Sequence, residues 1–469
     1  MRFSAATTAD RLLPERLALR MRPLLRRVDD ILFRADERGE ASRMSVIAFA
    51  IRVVSAAIAF LSQVLLARWM GGFEYGIFVL VWTAMILAGN LSCLGFHTSV
   101  IRFVPEYREK GMLPELRGVL VASRLVVLLA STVFAALGIA GVHVLSAAIE
   151  PYYVVPFILG MICLPMIAMS DLLQGISRAH SWAIAALAPT YIERPLLILL
   201  FMAGAIVAGY APDARTALIA AILATYATTL IQLLRVTARI GRLLPAGPVR
   251  MRYGRWIAIS LPIFLVESFF FLLTNADVLM VGAFMEPNAV AVYFATVKTL
   301  ALVHFVYFAV KAGVAQRYAQ FTHGDSGKLA AFARETVSWT FWPSLLMALV
   351  VLALGKPMLM LFGPGFDAGY PLLFLLVAGV VARAAVGPCE SLLTMSGNQN
   401  VCAFVYALTL AVNVALSVLL IPRIGLWGAA VATAGAMVFE AAALSFTVWR
   451  RLGIVMAVFL PAHPAKEAR

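Results

Sequence analysis

The chain has 469 residues, of which 62% are hydrophobic and only 13% charged, and its mean hydropathy is +0.91. Soluble domains run nearer half apolar and a quarter charged, and no polar stretch here is long enough to make one, so a soluble catalytic domain is excluded. The formal charge of +14 does not indicate nucleic acid, because the basic residues fill the gaps between apolar runs instead of forming one basic face.

The first 43 residues hold ten arginines and no lysine. No apolar h-region with a small-residue cleavage site follows, so this is not a secretory signal. Leu17, Met21, Leu24, Val28 and Leu32 recur at helical spacing among arginines. That pattern fits a basic amphipathic helix on the cytoplasmic face, or equally a disordered basic tail. Beyond the tail, runs of about 20 apolar residues, enough to span a ~30 Å hydrocarbon core, recur along the whole chain. They predict spans near 45–67, 77–98, 118–146, 152–174, 183–208 and 214–235, then 256–281, 287–311, 337–359, 369–391, 400–421 and 427–449. Prolines interrupt or border the fourth, fifth and tenth. The expected fold is therefore all-α and polytopic, with about twelve transmembrane helices.

With the N-terminus inside, alternate segments contain 29 basic residues, whereas the outside loops hold only Arg68, Arg215, Lys356 and Arg423. A miscounted span would invert this bias, so both termini are expected in the cytoplasm. Internal repetition then divides the chain. Gly71–Phe78 is echoed from Val281 into Phe294, Arg102–Gly111 by Arg317–Gly327, and Asp171–Ser177 (DLLQGIS) by Glu390–Ser396 (ESLLTMS). Three matches in order, at offsets of 210 to 219, predict two six-helix halves in parallel orientation. The expected organisation is a basic tail (1–43), a first lobe (44–235), a basic linker (236–255), a second lobe (256–450) and a C-terminal tail (451–469). Pro245, Gly247 and Pro248 mark the linker as extended.

Several stretches resemble a known family. LLARWMGGFEYGIFVLVWTAMIL (65–87) and LGFHTSVIRFVPEYREKG (94–111) are similar to its first loop and its second-span exit. NADVLMVGAFMEPNAVAVYFATVKTL (275–300), LFGPGFDAGYPLLFLL (361–376) and IPRIGLWGAAVATA (421–434) are similar to its C-terminal signatures. The family is the polysaccharide transporters, the Wzx-type oligosaccharide flippases, of the multidrug, oligosaccharidyl-lipid and polysaccharide exporter superfamily. The resemblance, over residues 44–450, implies a MATE-like, V-shaped pair of lobes around a cavity open to each side in turn. It implies a flippase, not an enzyme, in the bacterial inner membrane, moving an undecaprenyl-diphosphate-linked repeat unit for O-antigen, capsule or exopolysaccharide. The expected partners are that lipid-linked oligosaccharide, membrane lipids, and the polysaccharide polymerase and chain-length machinery. No cofactor is expected beyond H⁺ or Na⁺ as coupling ion.

Ionisable groups inside a bilayer are costly and so are functional candidates. The cations Arg52, Arg124, Arg194, Lys298 and Arg383 are the candidate contacts to diphosphate and glycan. Arg52 returns to the face of Gln63; it either offers a bidentate fork to the diphosphate or snorkels to headgroups. Arg124 lies nearer its span's cytoplasmic end. Glu193 and Arg194, between Pro189 and Pro195, suggest a bent helix with a local charge pair. Glu267 and Asp277 are candidates for ion coupling, with helix–helix hydrogen bonding as the alternative and Lys298 as a neutralising neighbour. Pro189, Pro195 and Pro262 are hinge candidates. The six histidines and four cysteines show no metal-ligand spacing, and satisfied membrane histidines are expected. Two further transport readings stay open: a cation-coupled multidrug antiporter and a lipid II-type flippase. A polytopic glycosyltransferase would need a long extracytoplasmic loop, and every outside loop is short.

Overall fold

In hydrocarbon a backbone must satisfy its N–H and C=O groups within its own segment, so each apolar run becomes a helix. A computed structural model describes residues 37–147, 149–322 and 326–458. The basic tail, and with it the amphipathic-helix reading, lies outside these residues, as do the side chains of residues 37–53, Arg52 included. The first lobe contains α1 (Glu37–Ser92), α2 (Phe96–Glu109), α3 (Leu113–Val144), α4 (Pro151–Ala179), α5 (Ala183–Ala188), a π-helical turn (Pro189–Glu193), α6 (Arg194–Val207) and α7 (Ala214–Leu243). The second contains α8 (Tyr253–Phe284), α9 (Pro287–Thr322), α10 (Ser326–Met360), α11 (Tyr370–Ala384), α12 (Cys389–Met395), α13 (Gln399–Ile424) and α14 (Leu426–Leu452). Among the described residues ten helices are long and apolar enough to cross a membrane.

The first of these ten accounts for two predicted spans. α1 breaks at Gly71, whose φ of 76° and ψ of 169° leave the helical region. The Tyr75 hydroxyl donates to Gln63 Oε1 at 2.9 Å. Twelve residues of unbroken helix would hold these two about 18 Å apart. The arms of α1 therefore fold back on each other. The eighth predicted span lies in α9, which makes twelve crossings.

The prolines act differently from one another. Pro156 and Pro165 leave α4 continuous. The fifth span takes a π-helical turn, and the tenth breaks between α11 and α12, where Gly387 has φ of 66°. Helices also overrun the predicted spans: α7 continues to Leu243 and α10 starts at Ser326. Hydropathy registers only the lipid-embedded part of a helix.

The packing explains how two lobes make one molecule. At the end away from the linker, residues of both lobes share a single core, including Tyr75, Phe78, Tyr293, Phe362 and Phe366. The corresponding turns of the two repeats meet there. Gly72 faces Asn288, and Gly76 lies so close to Pro287 that a Cβ would fall 1.8 Å from the Pro287 carbonyl oxygen. At the linker end each lobe has its own core, one around Phe103, Leu172 and Trp256, the other around Tyr318, Leu392 and Leu444. Joined at one end and divided at the other, the lobes leave space between them.

The linker is non-helical from Leu244 to Arg252, with bends at Leu244 and Ala246, and it lies against the start of α3. The Arg250 backbone N–H donates to the Pro114 carbonyl at 3.0 Å, and Arg117 Nε donates to the Pro245 carbonyl at 3.0 Å. Gly118 permits the approach, since a Cβ there would sit 2.0 Å from the Arg250 oxygen. Trp256, fully buried, then donates from Nε1 to the Tyr107 hydroxyl at 2.9 Å. Arg255 Nη2 donates to Glu106 Oε1 at 2.7 Å. A hydrogen bond from Lys110, with Arg255 beside it, holds the Glu106 carboxyl below the usual carboxylate range. Thus α8, which belongs to the second repeat by sequence, begins in the core of the first.

Candidate functional site: two chambers divided by one helix

That placement makes α8 a partition. Between α8 and the first lobe lies a chamber of about 810 Å³. Between α8 and helices α9, α12 and α13 lies another of about 650 Å³. Thr98, Glu267 and Phe270 line both. Each volume is in the range of sites that hold drug-sized ligands.

The boundary between the chambers is built by a break in the chain. Leu94 (φ 49°) and Gly95 (φ 76°) adopt left-handed backbone, so the helix of α1 ends and α2 starts anew at Phe96. Only glycine fits at position 95, because a Cβ would approach the Ser260 carbonyl oxygen on α8 to 2.3 Å. The new N-terminus presents His97 and Thr98 to Glu267. Thr98 Oγ1 donates to Glu267 Oε1 at 2.7 Å, and His97 Nε2 lies 3.1 Å from Oε2. A carboxylate at a helix N-terminus also gains from the helix dipole. Two turns back on α8, Ser260 Oγ and Ser99 Oγ are 2.7 Å apart.

The first-lobe chamber concentrates positive charge. Arg178, Arg194 and Lys298 line it, against the acids Asp171 and Glu267. The π-helical turn inserts one extra residue per turn, and Thr190, Tyr191 and Arg194 around it all reach this chamber. Arg194 is 5% exposed, and among the described residues nothing hydrogen-bonds to its Nε or Nη2. Asp171 is its nearest acidic influence, shared with His97 and Arg178.

The second-lobe chamber is lined by one cation, Lys311, and two acids, Glu390 and the shared Glu267. Lys311 Nζ donates to Glu390 Oε1 at 2.7 Å, and the Tyr307 hydroxyl donates to Oε2 at 2.6 Å. Phe270 and Tyr406, with ring centroids 5.5 Å apart, and the amides of Gln399 and Asn400 complete the wall. The DLLQGIS and ESLLTMS repeats thereby place an acid, Asp171 and Glu390, on the wall of each chamber.

The sequence candidates separate into two groups. Arg194, Lys298 and Glu267 come together in the first-lobe chamber, with Pro195 on its wall, while Pro262 lines the second-lobe chamber. Arg383 lines neither chamber. It pairs with Glu440 at 2.9 Å, lies 3.6 Å from Glu390, and is covered by the Tyr307 ring at 4.9 Å. Asp277 is also away from both chambers and is bonded to the Val278 N–H and the Tyr293 hydroxyl, which contacts Thr433. Arg124, on α3, lines neither chamber. Glu193 does not pair with its neighbour Arg194 but with Arg235 on α7 at 3.6 Å. Pro189 opens the π-helical turn. Sequence reasoning passed over Arg178, read as a loop charge, and over His97 and Thr98, although both lie in the stretch LGFHTS.

Twelve crossings in two lobes around divided chambers define a multi-pass membrane protein, and solved structures share this fold. One is a lipid II flippase, MurJ, in an inward closed conformation: TM-score 0.65, 14% identity, covering 86% of this chain and 87% of that one. An inward-facing multidrug resistance transporter of the MATE family, in the MOP superfamily, gives 0.66 and 14%, over 87% and 98%. A MOP superfamily transporter from Pyrococcus furiosus, described by the reversed polarity of its binding pocket, gives 0.61 and 13%, over 90% and 97%. No curated protein sequence matches the chain. Residues 43–316, more than half of the chain, match the family described as polysaccharide biosynthesis protein, and the chain belongs to that family.

Proposed function

We propose that this chain is a flippase that carries an undecaprenyl-diphosphate-linked oligosaccharide repeat unit across the bacterial inner membrane for surface polysaccharide assembly. The observation that supports it best is the Arg194 guanidinium, buried on a chamber wall with two nitrogens unbonded among the described residues, and with Arg178 and Lys298 lining the same chamber. A cation withdrawn from water costs several kcal/mol unless an anion meets it. A diphosphate offers paired oxygens that fit a guanidinium fork. The aromatic faces and amides of the second-lobe chamber suit neutral sugars. Family membership supports a polysaccharide precursor as cargo. Three cations against two acids disfavour the antiporter of cationic drugs.

The test is complementation. In a strain that depends on this gene for its surface glycan, Arg194→Ala and Lys298→Ala should abolish surface glycan while membrane protein levels hold. Arg194→Lys should restore only part, because an ammonium lacks the fork. Normal glycan in the Arg194→Ala strain would remove this site from the account.

A further inference from the structure

We propose that His97, Thr98 and Glu267 form a proton-binding latch that holds α8 against the first lobe and keeps the two chambers apart. Glu267 is where the partition is pinned: both of its oxygens are engaged by successive residues of α2, at 2.7 and 3.1 Å, across the lobe boundary. Two turns nearer the start of α8, the Ser99–Ser260 contact at 2.7 Å is a second tie to α2 that does not depend on protonation. The start of α8 is fixed separately by Trp256 and Arg255, and its far part packs with Asp277 and Tyr293 in the second lobe. Pro262 lies between the fixed start and Glu267 and removes one backbone hydrogen bond there, so the helix can bend where the latch acts.

The chemistry of the latch singles out the imidazole. Imidazole is the one side chain whose unperturbed charge changes between pH 5 and 8. The groups facing His97 are Glu267 on α8, Asp171 and Arg178 on α4, Arg194 on α6, Lys298 on α9, and Asn90 and Cys93 just before the break. As a cation the ring pairs with the Glu267 carboxylate by charge across the 3.1 Å contact. As a neutral ring it loses that attraction, and the Thr98 hydrogen bond alone holds the carboxylate. Taking up a proton closes the latch. Losing it frees α8 to swing toward the second lobe, joining the cation-lined chamber to the sugar-suited one. Deposition of an anionic cargo on Arg178 and Arg194 draws those cations from Asp171 and changes the same balance.

The inference rests on the transport reading only in requiring that the lobes move, and its test contains no glycan. Spin labels are placed on three exposed positions of the purified protein: Leu265 on α8, Leu125 on α3 and Phe404 on α13. Pulsed electron resonance then measures Leu265–Leu125 and Leu265–Phe404 distances at pH 5.5 and 8. The ratio of latched to released populations should be clearly higher at pH 5.5 than at pH 8, because the imidazole charge changes across this range. On going from pH 5.5 to 8 the first distance should lengthen while the second shortens. His97→Gln and Thr98→Val should lose the pH response or the latched population, respectively, and Glu267→Gln should stay released at both pH values. Identical distributions at the two pH values in the unmutated protein, or a wild-type response in His97→Gln, would overturn the latch. Either outcome leaves the glycan-export result untouched, so the two readings fail separately.

Discussion

Gly76 gives the sharpest test of the seal at the end away from the linker. An alanine Cβ there would lie 1.8 Å from the Pro287 carbonyl oxygen, where ordinary contact begins at 3.4 Å. The intruded group is backbone at the start of α9, so it cannot rotate away, and the lobes must part locally by about 1.6 Å. Overpacking of this kind costs ~1–3 kcal/mol. If that cost falls only on the sealed state, the sealed-to-open ratio drops by roughly 5- to 150-fold. Spin labels at the exposed Tyr210 and Met360 report separation of the two lobes at this end. Gly76→Ala should shift their distances toward a longer population, whereas Gly141→Ala, where an added Cβ meets nothing within 4 Å, should not. Unchanged distances in Gly76→Ala, with the protein folded, would refute the claim that this contact is a seal.

Three further outcomes follow from the ion pairs and the topology. Arg383→Met should cost ~3–5 kcal/mol of stability, read as a lower unfolding temperature in detergent, because Glu440 is left buried and unpaired; adding Glu440→Leu should restore part of it. Glu106 is depressed below its ordinary value of 4.5, so its contribution is present above that value and is lost as pH falls through the lowered one. Thermal unfolding should therefore show an acid-side decline that Glu106→Gln flattens, and equal slopes would contradict the linker anchoring. A cysteine at Arg242, on the exposed end of α7, should react with an impermeant thiol reagent only after cells are opened; labelling in intact cells would invert the topology.

What the sequence disclosed followed the physics of each residue. Span positions were legible because a bilayer demands a run of apolar residues whatever lies around it. The sequence pairs Gly71–Phe78 with the stretch from Val281 into Phe294, but no sequence pattern shows that the two turns touch. Arg194, Lys298 and Glu267 stood out because charge inside an apolar run is rare. The same criterion cannot separate a charge that faces a chamber from one already neutralised. Arg383 is paired with Glu440, 57 residues away on α14, and no local pattern announces such a pair. His97 has no metal-ligand spacing and its partner Glu267 is 170 residues distant, so no local pattern marks it, and Arg178 is a basic residue at a span end that also satisfies the positive-inside rule. Glu193 was assigned to its sequence neighbour, but adjacent residues on a helix point about 100° apart and do not face each other.

The central claim is that cations in the first-lobe chamber move a diphosphate-linked glycan across a bilayer. The most direct measurement places the purified chain in liposomes containing a fluorescent undecaprenyl-diphosphate-linked sugar and adds a membrane-impermeant reagent that destroys the outer-leaflet label. Flipping should let the reagent consume nearly all of the label with the unmutated chain, against about half in protein-free vesicles, where only one leaflet is exposed. Arg194→Ala and Lys298→Ala should fall back toward the protein-free level. Consumption that stays at the protein-free level with the unmutated chain, or that is undiminished in both variants, would contradict the account.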